Sequence, residues 1–394
     1  MFKNLSYVSI SFIYINLLGY LFHIIVSRQL GPVKYGEFIV YYSLILVGSN
    51  VAGILGNISV KKIIENPELK FETLRFFRIF NLIVGLIFFL LIIIFSGIIS
   101  DFLNLTGSFY LYLVALAILL ALIVTPEKSL IQADKNFKSL SIINSTELTM
   151  RFFFAIILIF SGYEISGAIL STPFALLMVF FVLLYLNDHV FGKINPIHLK
   201  TIIITILYIS PMSIVIYFDS IFVTRVFSYE NAGIYGSFSV LGKTALYFCL
   251  TLFNVFFPEF LLLKDSKKMY KIIRLANILT FSIYIVIIIV VILVGKPIYE
   301  FLFGYQYISG FQYLVPYLIA LIPLTLNSYN IGLLTVLEKY LPLIYFYLIS
   351  YLAGFIILDL SKIIVYIGYI FLINFVFYLV FLIALFLSKK NHSI

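Results

Sequence analysis

The sequence predicts an all-α integral membrane protein of about twelve transmembrane helices, arranged as two pseudo-symmetric six-helix bundles. Three observations predict it. Apolar residues make up 63% of the chain and charged ones only 11%, whereas a soluble domain carries roughly 25% charged residues. A surface so poor in charge suits hydrocarbon and not water. Apolar runs of the ~20 residues that span a bilayer recur between short polar breaks. The rare charged and glycine residues of the first half also recur, in order, in the second.

The runs fall in sequence as follows. The first, 5–26, lacks a small-residue cleavage site and reads as a retained helix, not a signal peptide. The Gly31-Pro32 break separates it from 37–58. A basic stretch from Lys61 to Arg78 leads into 79–100, and a polar break precedes 109–126. After Pro126, the pair Glu127-Lys128 reads as solvated at the cytoplasmic surface before 139–160; Gly162 then divides that run from 165–186. The second set runs 199–222, 234–256, 275–295, 311–332, 340–358 and 363–387, interrupted by Arg225, by the cations Lys264 to Arg274, and by Lys296, Lys339 and Lys362. Two domains follow, 1–190 and 191–394. Pro126, Pro173, Pro211, Pro316 and Pro323 lie in or near helices, where proline removes a backbone hydrogen bond and bends the rod.

The formal net charge of +9 points to membrane surfaces before nucleic acid, because Lys and Arg collect in cytoplasmic loops. With both termini cytoplasmic, nineteen cations fall on the inner side and five on the outer; Arg151 and Lys243 lie within helices. The expected location is the cell membrane, as a multi-pass protein. The single cysteine, Cys249, excludes an internal disulfide. No phosphate-binding glycine loop, metal-ligand spacing or nucleophile–base arrangement is present, so no cofactor, metal or covalent chemistry is expected.

The internal repeat is the most informative feature. Val26-Ser27-Arg28-Gln29-Leu30 followed by Gly36 matches Val223-Thr224-Arg225-Val226-Phe227 followed by Gly233, at an offset of 197. Ile99-Ser100-Asp101-Phe102-Leu103 matches Ile298-Tyr299-Glu300-Phe301-Leu302, and Asp134-Lys135 matches Glu338-Lys339. An even number of helices per half gives both halves one orientation, the plan of transporters that rock two bundles about a central site.

The stretch Ser27-Arg28-Gln29-Leu30-Gly31-Pro32-Val33-Lys34-Tyr35-Gly36 resembles the "R-x-L-G-P-x-x-Y-G" of the Wzx-type polysaccharide flippases of the multidrug/oligosaccharidyl-lipid/polysaccharide (MOP) exporter superfamily. Asp219 to Arg225 and Asn231-Ala232-Gly233-Ile234-Tyr235 are similar to that family's second-half motif, with Ser228-Tyr229 departing where a glycine would stand. Lys243 and Phe257-Pro258-Glu259 also fit. The resemblance implies a polyprenyl-diphosphate-linked oligosaccharide as substrate, flipped across the cytoplasmic membrane by alternating access for surface polysaccharide synthesis. It also implies association with other membrane proteins of polysaccharide assembly.

Ionisable groups within the bilayer are costly and mark function or pairing. Lys243 reads either as a cation facing a central cavity or as the partner of Asp219. Arg28 and Arg225, symmetry mates at helix ends, read either as snorkelling residues or as an anion-binding pair, since the guanidinium fork grips phosphate. Glu147 and Arg151, four apart with Glu first, form a favourable helical pair; alternatively Glu147 carries a coupling proton while Arg151 faces substrate. His23 titrates near neutral pH when unperturbed, but a lone histidine among apolar residues is more often packed.

Three other activities compete. An ion-coupled multidrug or small-molecule exporter of the same superfamily needs cavity carboxylates, which are few. A sugar transporter of the other large six-plus-six class would carry a glycine-containing basic loop between its second and third helices, and Lys61–Arg78 has no glycine. A membrane glycan polymerase would need a long outer loop, which is lacking.

Overall fold

The computed structural model describes residues 2–186, 199–262, 266–336 and 340–390, which are helical almost throughout, with no strand among them. In hydrocarbon each backbone polar group must find its partner within its own segment, so apolar runs of this length fold as helices. The side chains of 257–259, and Glu338 and Lys339, lie outside the described residues.

α1 (2–30) and α2 (32–65) form one rod broken at Gly31, whose φ of 68° and ψ of 170° are open to glycine and strained for other residues. Pro32 then restarts the helix. α3 (Lys70–Ile94) is extended by a short helix, Ser96–Phe102. α4 (Phe109–Ala133) and α5 (Phe137–Leu158) follow, the Asn136 side chain capping α5 by accepting from the Ser139 N–H at 3.2 Å. A π turn at Ile159–Tyr163, with Gly162 at φ 91°, leads into α6 (Glu164–Leu186). Next come α7 (Leu199–Ile221), one turn at Val223–Val226, α8 (Tyr229–Leu262) and α9 (Ser266–Phe303). α10 (Phe311–Val336), α11 (Leu341–Ile357) and α12 (Ile363–Lys390) complete the chain. Eight segments among the described residues are long and apolar enough to cross a membrane, and two of them, Ile10–Glu65 and Phe137–Tyr185, each hold a pair of these helices. The protein is an all-α integral membrane protein.

The fourth span continues past its expected end. Pro126 lies inside α4, which runs on to Ala133. Glu127 and Lys128 therefore sit on a helix, and Glu127 is buried, not solvated as expected.

The chain forms two compact units, 1–206 and 207–394. In the first, α4 packs against the α1–α2 rod, α3 and α6. In the second, α10 packs against α8, α9 and α12. Small residues allow these approaches: a Cβ on Gly56 of α2 would meet Thr125 of α4 at 2.8 Å, and one on Gly242 of α8 would meet Tyr317 of α10 at 2.5 Å. Both halves break their rod just after the repeated arginine. After Arg28 the break is Gly31; after Arg225 it is Phe227, extended at φ −115° and ψ 161°. Gly31 has Ser228 as its repeat mate, and the break of the second copy falls one position earlier, at an extended Phe227 that needs no glycine.

Candidate functional site

Three charged residues of the first unit, Lys128, Glu147 and Arg151, meet at one cavity. α5 carries Glu147 and Arg151 one turn apart, and α4, by continuing through Pro126, brings Lys128 to face them. The Glu147 carboxylate accepts from the Lys128 ammonium and, at 3.3 Å, from Arg151 Nη2. Arg151 Nε is buried and finds no partner among the described residues. These three groups line a cavity of about 330 Å³, with Asn57 of α2, Gln132 of α4 and Asn144 of α5 adding amides. Two cations stand against one carboxylate there. Glu127 does not alter that balance, because Arg78 of α3 holds it in a fork, Nε to Oε1 at 2.5 Å and Nη2 to Oε2 at 2.8 Å.

The second unit treats its charges differently. Lys243 of α8 is 6% exposed and Asp219 of α7 is 3% exposed. The Lys243 ammonium donates to Asp219 Oδ1 at 2.7 Å and to Ser220 Oγ at 2.8 Å, and it lies 5.6 Å from the Tyr217 ring centre. The other Asp219 oxygen accepts from Tyr235 at 2.7 Å and Tyr317 at 2.6 Å, and the Asp219 carbonyl accepts from Tyr366 at 2.5 Å. Of the two sequence readings for Lys243, a free cavity cation and a partner of Asp219, the geometry presents the second. Its mate one repeat earlier, Leu46, lines the cavity of the first unit. One repeat position is thus cavity wall in one half and a closed ion pair in the other.

The remaining candidates sit elsewhere. Arg28 is exposed at the end of α1, in the first unit. Arg225 is exposed in the second, its guanidinium 5.8 Å from the Phe222 ring centre. His23 is buried on α1, with Nδ1 3.2 Å from the Tyr35 hydroxyl and its ring edge-on to Tyr42 at 4.8 Å. Lys128 is the residue that sequence reasoning misplaced. Leu130 and Ile131, both buried beyond Pro126, were the signal that the helix carries on.

A family described as polysaccharide biosynthesis protein matches residues 25–311. No curated protein matches the sequence. Among solved structures, an inward-facing multidrug resistance transporter of the MATE family within the MOP superfamily is similar over 95% of this chain and 96% of its own, at 14% identity and a TM-score of 0.73. An outward-facing MATE transporter is similar over 99% and 96%, at 15% identity and a TM-score of 0.61. A MOP-superfamily transporter from Pyrococcus furiosus, described as having a binding pocket of reverse polarity that suggests a different function, is similar over 98% and 96%, at 14% identity and a TM-score of 0.60. At such identities the likeness is one of fold.

Proposed function

The chain belongs to the polysaccharide biosynthesis protein family and has the fold of MOP-superfamily transporters, and from that premise we propose that it flips a polyprenyl-diphosphate-linked oligosaccharide across the cytoplasmic membrane by alternating access. The observation that carries this reading is the cavity of the first unit, where Lys128 and Arg151 outnumber Glu147. A diphosphate cannot enter hydrocarbon unless its lost hydration is replaced. Arg151 suits that task, because its Nε is buried and unspent and a guanidinium offers paired donors to phosphate oxygens. Asn57, Gln132 and Asn144 supply neutral donors and acceptors of the kind that sugars use. Glu147 holds both cations in place until an anion arrives and takes over its bonds.

The test is binding of geranyl diphosphate, a short carrier analogue, to the purified protein. Arg151→Gln removes a charge-assisted donor, commonly worth about 1.5–3 kcal/mol, so affinity should fall by roughly tenfold or more. Unchanged affinity would sink the cavity as the diphosphate site. A second reading, an ion-coupled multidrug or small-molecule exporter, draws on the fold likeness to multidrug transporters and on Glu147 as the cavity carboxylate. It would be favoured by a cationic dye competing at that cavity with geranyl diphosphate failing to bind.

A further inference from the structure

A second cleft in the first unit lies apart from the cavity. It opens between α1 and α5, has a volume of about 450 Å³, and is mostly apolar in its accessible wall, with a stripe of hydroxyl-bearing residues running through it. On α5 the stripe begins at Lys138 in the first turn and continues through Ser141, Ser145 and Thr149. Those residues follow at intervals of three or four and so share one helix face. From Lys138 to Thr149 the stripe rises about 16 Å. On α1, Ser11 and Tyr14 face it: Ser11 Oγ lies 2.9 Å from Ser145 Oγ and donates to the Ser141 carbonyl at 3.1 Å, and Tyr14 Oη lies 2.8 Å from Thr149 Oγ1.

A seam that only joined two helices would close over these bonds; here they form the floor of an open cleft. A hydroxyl has two acceptor lone pairs, so these groups are not exhausted by the bonds between the helices. The flanks are apolar, with Ile10, Ile13 and Ile142 exposed. The Lys138 ammonium stands at the mouth, 5.9 Å from the Tyr7 ring centre, and among the described residues no carboxylate pairs with it.

We propose that this cleft is a lateral site for an anionic glycerophospholipid. Lys138 takes the phosphodiester, the hydroxyl stripe takes the glycerol and ester oxygens, and the acyl chains lie against the flanking isoleucines. One cation at the mouth matches the single charge of a phosphodiester, whereas a diphosphate would bring more charge than the mouth can neutralise. The site goes beyond transport: it binds a resident lipid, and the transported molecule uses the other cavity.

The full-length protein in detergent is titrated with phosphatidylglycerol, phosphatidylcholine and undecaprenyl diphosphate, with bound lipid counted by native mass spectrometry. One phosphatidylglycerol should be held about fivefold more tightly than phosphatidylcholine, the share that one lysine contributes toward an anionic lipid. That preference should vanish in Lys138→Gln and persist in Lys61→Gln, whose side chain is exposed outside the cleft. As a readout on otherwise native protein, a benzophenone side chain placed at Ile142 should cross-link phosphatidylglycerol in mixed nanodiscs. Equal retention by the wild type and Lys138→Gln, an absent cross-link, or undecaprenyl diphosphate displacing phosphatidylglycerol would each overturn the proposal.

Discussion

The buried pair in the second unit allows a worked prediction. Asp219 accepts from Lys243, from the Ser220 N–H at 2.7 Å, and from Tyr235 and Tyr317. Lys243→Met removes the counter-charge yet leaves the carboxylate four neutral donors, the Ser220 hydroxyl being the fourth. Asp219→Asn removes the counter-charge and leaves the ammonium only neutral partners, the amide oxygen, Ser220 Oγ and the Tyr217 face. Breaking one side of a buried pair costs about 3–5 kcal/mol. Asp219→Asn should lie at or above the upper end and Lys243→Met near the lower. The double variant should recover about 2 kcal/mol relative to the sum, since no charge is left unpaired. A domain of this size loses about 2–4 °C of melting temperature per kcal/mol, which puts the single variants roughly 6–20 °C below wild type. The chain supplies its own probe: Cys249 is its single cysteine and is 1% exposed, so a thiol-reactive fluorophore reports unfolding directly. A Lys243→Met protein melting within 2 °C of wild type, or a double variant worse than the sum of the singles, would refute the reasoning.

Other expectations follow from neighbouring contacts. Arg78→Ala takes the guanidinium fork from the buried Glu127 carboxylate, at a cost of about 3–5 kcal/mol; Arg78→Ala/Glu127→Gln should recover most of it in the same thiol-dye melt. Gly242→Val forces a Cβ to within 2.5 Å of Tyr317, displacing a donor from Asp219; it should destabilise by about 1–3 kcal/mol, whereas Gly53→Ala, with open space around it, should not. Glu147→Gln raises the cavity to two unopposed cations, so geranyl diphosphate should bind roughly threefold or more tighter; weaker binding in a direct titration would show that the carboxylate does more than hold the cations.

The spans were legible because bilayer thickness fixes a length and hydrocarbon forbids charge, and Gly31-Pro32 marked the first rod's break as only that pair can. The second break was harder to read, because Phe227 turns the chain by an ordinary extended conformation that leaves no compositional trace. Lys243 and Asp219 are 24 residues apart on adjacent helices. Their spacing is compatible with pairing and with separation, since the rotation of α8 about its axis is set by packing around Gly242 and not by local sequence. Lys128 was lost to a rule that holds in water but fails here: proline ends helices less often when neighbouring helices and hydroxyls satisfy the freed carbonyl. The Leu122 carbonyl, four residues before Pro126 and so without its helical N–H, accepts from the Asn81 side-chain amide of α3 at 3.1 Å, which is such satisfaction by a neighbouring helix. Glu147 and Arg151 were found because a charge pair one turn apart is visible in any apolar run. That they border a cavity depends on α4, and no periodicity within α5 reports it.

The most direct measurement of the central claim is translocation in proteoliposomes: a labelled polyprenyl-diphosphate oligosaccharide placed in one leaflet, with the labelled sugar detected by a lectin on the other side. The account predicts saturable lectin access that falls by roughly tenfold in Arg151→Gln. Transfer at the rate of protein-free vesicles, or at an undiminished rate in Arg151→Gln, would contradict it.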